Sequence, residues 1–189
     1  MFKITQGVPQ GSLLGPLLFA LHVNDLLKAS AFNSSLFADD TVLCISSGNC
    51  VVLQKVINTG LQKVDEWMRF HKLSLNYSKT SYMHIRPSGK QLYDFIVKSN
   101  ENTVSQTSSI KYLGVYIDNK LTWSDHVTNL EKTISCSVGI FYRTRHHLKE
   151  REFKSVYFSI AYGYLKYAIG AWSGVGKTRL RRLNVLHKK

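Results

Sequence analysis

The stretch Leu36-Phe37-Ala38-Asp39-Asp40-Thr41-Val42-Leu43-Cys44-Ile45 sets two adjacent carboxylates inside an apolar run. Carboxylates are better solvated by water than by a half-buried strand, so an unbroken buried segment is excluded here. The run reads as a β-hairpin over Ser35 to Ser46, with Ala38-Asp39-Asp40-Thr41 at its turn. Side chains at such a turn can enter a cleft while the strands stay packed. Asp39 and Asp40 are then hard oxygen ligands suited to Mg2+ or Mn2+. On these residues alone, a solvated Asp-Asp hairpin turn that binds nothing is the commoner arrangement and the favoured reading.

The rest of the chain alternates elements around this hairpin. Gln6 to Gly11 contains two glycines and Pro9 and reads as a loop. Ser12 can cap a helix through Leu14, Leu17, Leu18, Leu21 and Asp25. Leu53, Val56, Ile57, Leu61, Val64, Trp67 and Met68 recur at helical spacing, giving a helix that ends near Leu73. Strands are expected at Thr80 to Ile85, Leu92 to Lys98 and within Val104 to Ile117. After Trp123 the pattern becomes helical: Val127, Leu130, Ile134, Val138 and Phe141 share a face. Further helices are expected over Arg151 to Ala168 and Lys177 to His187. Residues 1–122 are therefore read as a mixed α+β domain and residues 123–189 as an all-helical one.

Hydrophobic residues make up 44% of the 189, enough for a real core. No window has the apolar length needed to span a bilayer, and Met1 to Gln10 lacks the apolar stretch of a signal peptide. Cys44, Cys50 and Cys136 form no CxxC pair. Such sparse cysteines point to a reduced, intracellular protein of nucleus or cytoplasm and away from a zinc site. The net charge is +13, unevenly placed: 13 basic and 10 acidic residues precede Arg143, whereas 12 basic and 2 acidic follow from there. The excess gathers around Arg143, Arg145, Lys149, Arg151, Arg179, Arg181 and Arg182. A face of that sign suits a polyanion, most often nucleic acid, or is simply a solvated helix surface.

Four blocks in order carry a resemblance. Gln6-Gly7-Val8-Pro9-Gln10-Gly11-Ser12 with Leu14-Gly15-Pro16-Leu17-Leu18-Phe19 resembles polymerase motif B, and Leu36-Phe37-Ala38-Asp39-Asp40-Thr41-Val42-Leu43 resembles motif C. Leu75-Asn76-Tyr77-Ser78-Lys79-Thr80 is similar to motif D, and Lys111-Tyr112-Leu113-Gly114-Val115-Tyr116-Ile117-Asp118 to the primer grip. Together they resemble the reverse transcriptases of LINE-type (non-LTR) retrotransposons, particularly the jockey-like branch. Leu121 to His126, Leu165-Lys166-Tyr167 and Ala171-Trp172 fit the C-terminal part of the same family.

That resemblance implies a fold and roles. The chain becomes a partial polymerase palm, an antiparallel sheet with packed helices, followed by an all-helical thumb. Asp39 and Asp40 would hold the metal ions of nucleotidyl transfer, Asp39 the stronger ligand. Pro9, Gln10 and Gly11 would lie beside the incoming deoxynucleoside triphosphate. Lys79 would protonate the leaving pyrophosphate; read without the family it is one more surface lysine. Leu113 and Gly114 would position the primer end. The seven basic residues named above would grip the template–primer duplex by its phosphates. RNA template and DNA primer are the implied partners. Tyr142, Tyr157 and Tyr164 could add to that grip, although aromatics at helical spacing are more often core, and His126, His146 and His147 show no ligand constellation.

The family needs a further aspartate, in motif A, on a strand before motif B. No such strand precedes Gln6 here, so the expectation is a polymerase's C-terminal half that acts only with its upstream half. A non-catalytic nucleic-acid-binding module is the alternative, since binding requires only the basic face. Ala171-Trp172-Ser173-Gly174-Val175-Gly176-Lys177-Thr178 loosely fits a phosphate loop, but too little chain follows it for the parallel sheet such a loop needs.

Overall fold

A computed structural model describes residues 11–86 and 93–187. The chain forms two compact units, one of Met1–Tyr82 with Gln91–Ser105 and the other of Met83–Lys90 with Gln106–Lys189.

In the first unit α1 spans Gly15–Val23, and a 3-10 turn follows over Asn24–Lys28. The Ser12 hydroxyl accepts from the Gly15 amide at 3.0 Å, so Ser12 organises the entry to α1. Strands β1 (Asn33–Phe37) and β2 (Asp40–Cys44) pair antiparallel from Asn33 opposite Cys44 to Phe37 opposite Asp40. Helix α2 covers Cys50–Phe70, and its first-turn amides are capped by Asn49 Oδ1, which accepts from Val51 N at 2.9 Å and Val52 N at 3.3 Å. Its apolar face closes two clusters. Val64 packs with Leu26 and Phe32, backed by Leu36 and Leu43 of the hairpin. Leu53, Ile57 and Leu61 pack on Phe95, Val97 and Val104. Asp65 is buried on the same helix and accepts hydrogen bonds from the Tyr77 hydroxyl at 3.1 Å and from Asn100 Nδ2.

The remaining strands are short. They are β3 (Ser81–Tyr82), β4 (Lys98–Ser99), β5 (Asn102–Thr103), β6 (Ser105–Gln106), β7 (Ser109–Tyr112) and β8 (Val115–Asp118). Among the described residues strands pair only in twos, so the single antiparallel sheet expected of a palm is replaced by small ladders. The expected strands at Thr80–Ile85 and Leu92–Lys98 shrink accordingly. Before the β4–β5 ladder, side chains of α2 take backbone bonds of Ile96 and Lys98 that a longer strand would give to a neighbour. Ile96 N donates to Gln54 Oε1 at 3.4 Å, Ile96 O accepts from Asn58 Nδ2 at 3.1 Å, and Lys98 N donates to Asn58 Oδ1 at 3.0 Å. A helix that supplies amide side chains removes the need for a neighbouring strand.

The second unit contains the β7–β8 hairpin and the C-terminal helices. Helix α3 spans Ser124–Thr144, α4 Glu150–Tyr157, α5 Gly163–Lys166, α6 Ile169–Trp172 and α7 Lys177–His187. Val127 and Leu130 of α3 meet Trp172, Val175 and Leu183 in one core. The helix expected over Arg151–Ala168 is interrupted twice. Phe158–Tyr162 winds as a π-helical turn, and Tyr167 is extended (ψ 128°) before Ala168 adopts φ +51°. Ala171 to Thr178 runs from α6 into α7 with Trp172 and Val175 buried, which is not the strand-to-helix setting of a phosphate loop. No helix among the described residues is long and apolar enough to cross a membrane.

Candidate functional site

The β1–β2 hairpin turns in two residues, Ala38 and Asp39. Both favoured two-residue turns need positive φ at the first position, and Ala38 adopts φ +51°. A left-handed residue with a Cβ is disfavoured by roughly 1–2 kcal/mol, so the ladder on both sides imposes this conformation. Asp39 completes the turn and Asp40 opens β2 opposite Phe37. Both aspartates are exposed, and neither has an ion-pair partner among the described residues. Two free carboxylates of this kind fit a hard divalent cation. Mg2+ is commonly held by one or two carboxylates, with water and substrate phosphate completing its shell. The pair is a partial set, because no group of three or more His, Cys, Asp or Glu side chains converges among the described residues.

The other sequence-predicted residues distribute over the two units. Gly11 and Lys79 share the first unit with the aspartates; Leu113, Gly114 and the seven basic residues belong to the second. Pro9 and Gln10 lie outside the described residues. Gly11 has φ +82° and open space where a Cβ would project, so conformation rather than crowding calls for glycine there. Lys79 is exposed on a turn whose amides fold onto Asn76: Lys79 N donates to Asn76 O at 3.1 Å and Thr80 N to the same oxygen at 3.0 Å. No ion pair joins Lys79 to Asp39 or Asp40 among the described residues.

Leu113 and Gly114 form the two-residue turn of the β7–β8 hairpin, between Tyr112 and Val115. Their φ values are +46° and +81°, the paired positive angles of a type I′ turn. Glycine accepts this readily and leucine does not. Two contacts from the C-terminal helices hold the hairpin. The Tyr167 hydroxyl donates to the Leu113 carbonyl at 2.6 Å. At the other end Asp118 Oδ1 accepts from Lys120 N, Thr122 N and the Thr122 hydroxyl at 3.0–3.1 Å, and Arg179 Nη1 donates to Thr122 Oγ1 at 3.2 Å. Burial pushes the Asp118 carboxyl up, but the hydrogen bonds from Thr122 and Lys120 outweigh it and hold the group below the ordinary carboxylate range.

All seven predicted nucleic-acid-binding side chains are exposed. Three already have partners within the chain. Arg179 reaches Thr122, Arg182 Nε lies 3.8 Å from Glu131 Oε2, and Arg145 stacks 3.9 Å over the Tyr142 ring while its Nε donates to His146 Nε2 at 2.9 Å. Arg143, Lys149, Arg151 and Arg181 have no ion pair among the described residues. Lys149 and Arg151 line a shallow groove with Lys154 and Phe158. His126 is buried against Trp172 at 5.6 Å between ring centroids, and burial lowers its pKa. Sequence reading assigns no role to Tyr167 or Thr122; Tyr167 meets Leu113 from 54 residues away, and Thr122 joins the nearby Asp118 to Arg179, 57 residues away.

Residues 1–117 match the family described as reverse transcriptase (RNA-dependent DNA polymerase), and the chain belongs to that family. Its relatives come from non-LTR retrotransposons. It is 28% identical over 195 residues to the probable RNA-directed DNA polymerase from transposon X-element of Drosophila melanogaster, an overlap covering 99% of this chain and 21% of that protein. It is 26% identical over 197 residues to the RNA-directed DNA polymerase from mobile element jockey of Drosophila funebris, covering 98% and 21%. A third, the Pol polyprotein from type-1 retrotransposable element R1 of Bradysia coprophila, is 27% identical over 143 residues, covering 74% of this chain and 14% of that protein. The chain spans about a fifth of the length of the first two. No solved structure matches it.

Proposed function

We propose that this chain is part of an RNA-directed DNA polymerase of a non-LTR retrotransposon, and that it supplies the metal-binding turn and duplex-gripping part of nucleotidyl transfer onto a primer 3′-hydroxyl. The observation that carries this is the two-residue turn presenting Asp39 and Asp40 free of ion pairs among the described residues, in a chain whose residues 1–117 match the reverse transcriptase family. Residues 1–122 act as the palm segment and residues 123–189 as the thumb. Asp39 and Asp40 would hold Mg2+ or Mn2+, which when bound neutralises triphosphate charge and favours the deprotonated primer hydroxyl. Asp39, inside the turn, is the principal ligand; Asp40, bound into the ladder as the partner of Phe37, has less freedom to reorient. Lys79 gives its proton to the leaving pyrophosphate. Pro9, Gln10 and Gly11 border the deoxynucleoside triphosphate, and Leu113 with Gly114 bears on the primer end. Arg143, Lys149, Arg151 and Arg181, free of ion pairs among the described residues, contact phosphates of the RNA template and DNA primer, with Arg145, Arg179 and Arg182 adding to the same basic face.

The test is a Mn2+ titration of the 189-residue protein. Millimolar or tighter binding is expected, weakened about tenfold or more in Asp39→Asn, because the substitution removes a hard anionic donor. Identical titrations of the two proteins would leave Asp39 a solvated turn residue and remove the basis of the catalytic reading.

A further inference from the structure

The Leu113–Gly114 turn, closed by the ladder on both sides, is held further by a residue that belongs to another element. Leucine at φ +46° is unusual, and Leu113 is only half-buried, so packing alone does not enforce it. Its carbonyl is fixed by the Tyr167 hydroxyl at 2.6 Å, and the Tyr167 ring also lies 3.4 Å from where a Gly114 Cβ would sit. Tyr167 is itself placed by a break. It is extended between α5 and α6, and Trp172 Nε1 donates to its carbonyl at 2.9 Å. Trp172 is buried in the core of α3, α6 and α7. A continuous chain of contacts therefore runs from that core through Trp172 and Tyr167 to the tip of the hairpin.

We propose that Tyr167 is the positioning residue of the Leu113–Gly114 turn: through one hydroxyl it sets where the turn meets the primer terminus, so that duplex binding on the basic helices is registered at the primer end. This rests on the polymerase reading given above. The second tie, Arg179 to Thr122 to Asp118, fixes the hairpin's base. With base and tip both anchored in the helices, the hairpin moves with them. Tyr167 is itself exposed, so its phenol is ordered by this bond and not by burial.

The experiment compares the 189-residue protein with Tyr167→Phe, which keeps the ring and removes the donor, and with Gly114→Ala, which strains the turn through its φ of +81°. Two readouts are taken: hydrogen exchange of the Tyr112 and Val115 amides, and the fluorescence of 2-aminopurine at the 3′ end of a primer on an RNA template. Loss of one hydrogen bond predicts exchange faster by about three- to tenfold in Tyr167→Phe, with the primer-end signal shifted toward that of free duplex and overall helicity unchanged. Unchanged exchange in Tyr167→Phe overturns the proposal. A primer-end signal altered by Gly114→Ala but not by Tyr167→Phe also overturns it, while leaving the turn at the primer. If neither variant alters that signal, the primer-grip reading itself fails and the proposal falls with it.

Discussion

Gly60 lies in the interior of α2 with its Cα against the ring of Phe32. A Cβ built there would sit 2.6 Å from both Cε2 and Cζ of that ring. Carbon pairs prefer roughly 3.5–4.0 Å, so the ring must retreat by about 1 Å. Phe32 cannot do so freely, being buried with Leu26 and Val64. Overpacking of this kind costs about 1–3 kcal/mol. Alanine in place of glycine meanwhile favours the helix by about 1 kcal/mol. The clash outweighs the propensity, and Gly60→Ala should destabilise the first unit by about 1 kcal/mol. Hydrogen exchange of α2 amides reads that unit separately and should quicken about fivefold. In a Phe32→Leu background the obstruction is gone, and the same substitution should slow exchange instead. If Gly60→Ala stabilises α2 equally in both backgrounds, the close approach of Gly60 and Phe32 is not what selects glycine.

Two further outcomes follow from the second unit. His126 is held neutral by burial, with its pKa lowered from 6.5 and neither ring nitrogen hydrogen-bonded among the described residues. The unfolded chain therefore binds the extra proton first: this contribution is complete above about pH 6.5 and is lost as pH falls below it, by up to about 1.4 kcal/mol per pH unit. Urea midpoints between pH 7.5 and 5.5 should fall less in His126→Leu than in the parent, and equal slopes would refute the assignment. Replacing Arg143, Lys149 and Arg151 with glutamine should weaken primed-duplex binding and reduce the slope of log affinity against log salt by up to about three; an unchanged slope would exclude them as phosphate contacts. Substitution is the appropriate perturbation, because deleting everything from Arg143 onward would also remove Trp172, Val175 and Leu183 from the core.

Much of this was legible in the residues. A pair of carboxylates in an apolar run must break the run, and Asp39 does lie in a two-residue turn. The apolar spacing of α2 locates that helix, which ends at Phe70 and not near Leu73, and the helix expected over Lys177 to His187 is observed there. What escaped depends on partners distant in sequence. Tyr93 to Val97 has a strand-like pattern, yet both backbone groups of Ile96 go to Gln54 and Asn58 of α2, and Phe95 O accepts from the Tyr82 hydroxyl. Tyr167 sits within a helix-forming run, and its extended backbone places a hydroxyl on a main-chain oxygen. A carbonyl accepts whatever residue carries it, so Leu113 leaves no trace of the bond in its side chain. Thr122 and Arg179 meet side chain to side chain, but across 57 residues that no local spacing links.

The two hairpins share a property that bears on how such an element drifts over generations. Each reverses direction in two residues, Ala38-Asp39 and Leu113-Gly114, with a defined register on either side. Register has a period of two, so adding or losing one residue in a strand exchanges its faces. Substitutions at the exposed strand positions Ser35 and Thr41 leave pairing intact, whereas a single-codon insertion within one strand would rotate the leucine of that strand, Leu36 or Leu43, away from the core cluster it backs. Lineages of this sequence should therefore preserve spacing around both turns more strictly than residue identity, with length changes accumulating in the connections instead.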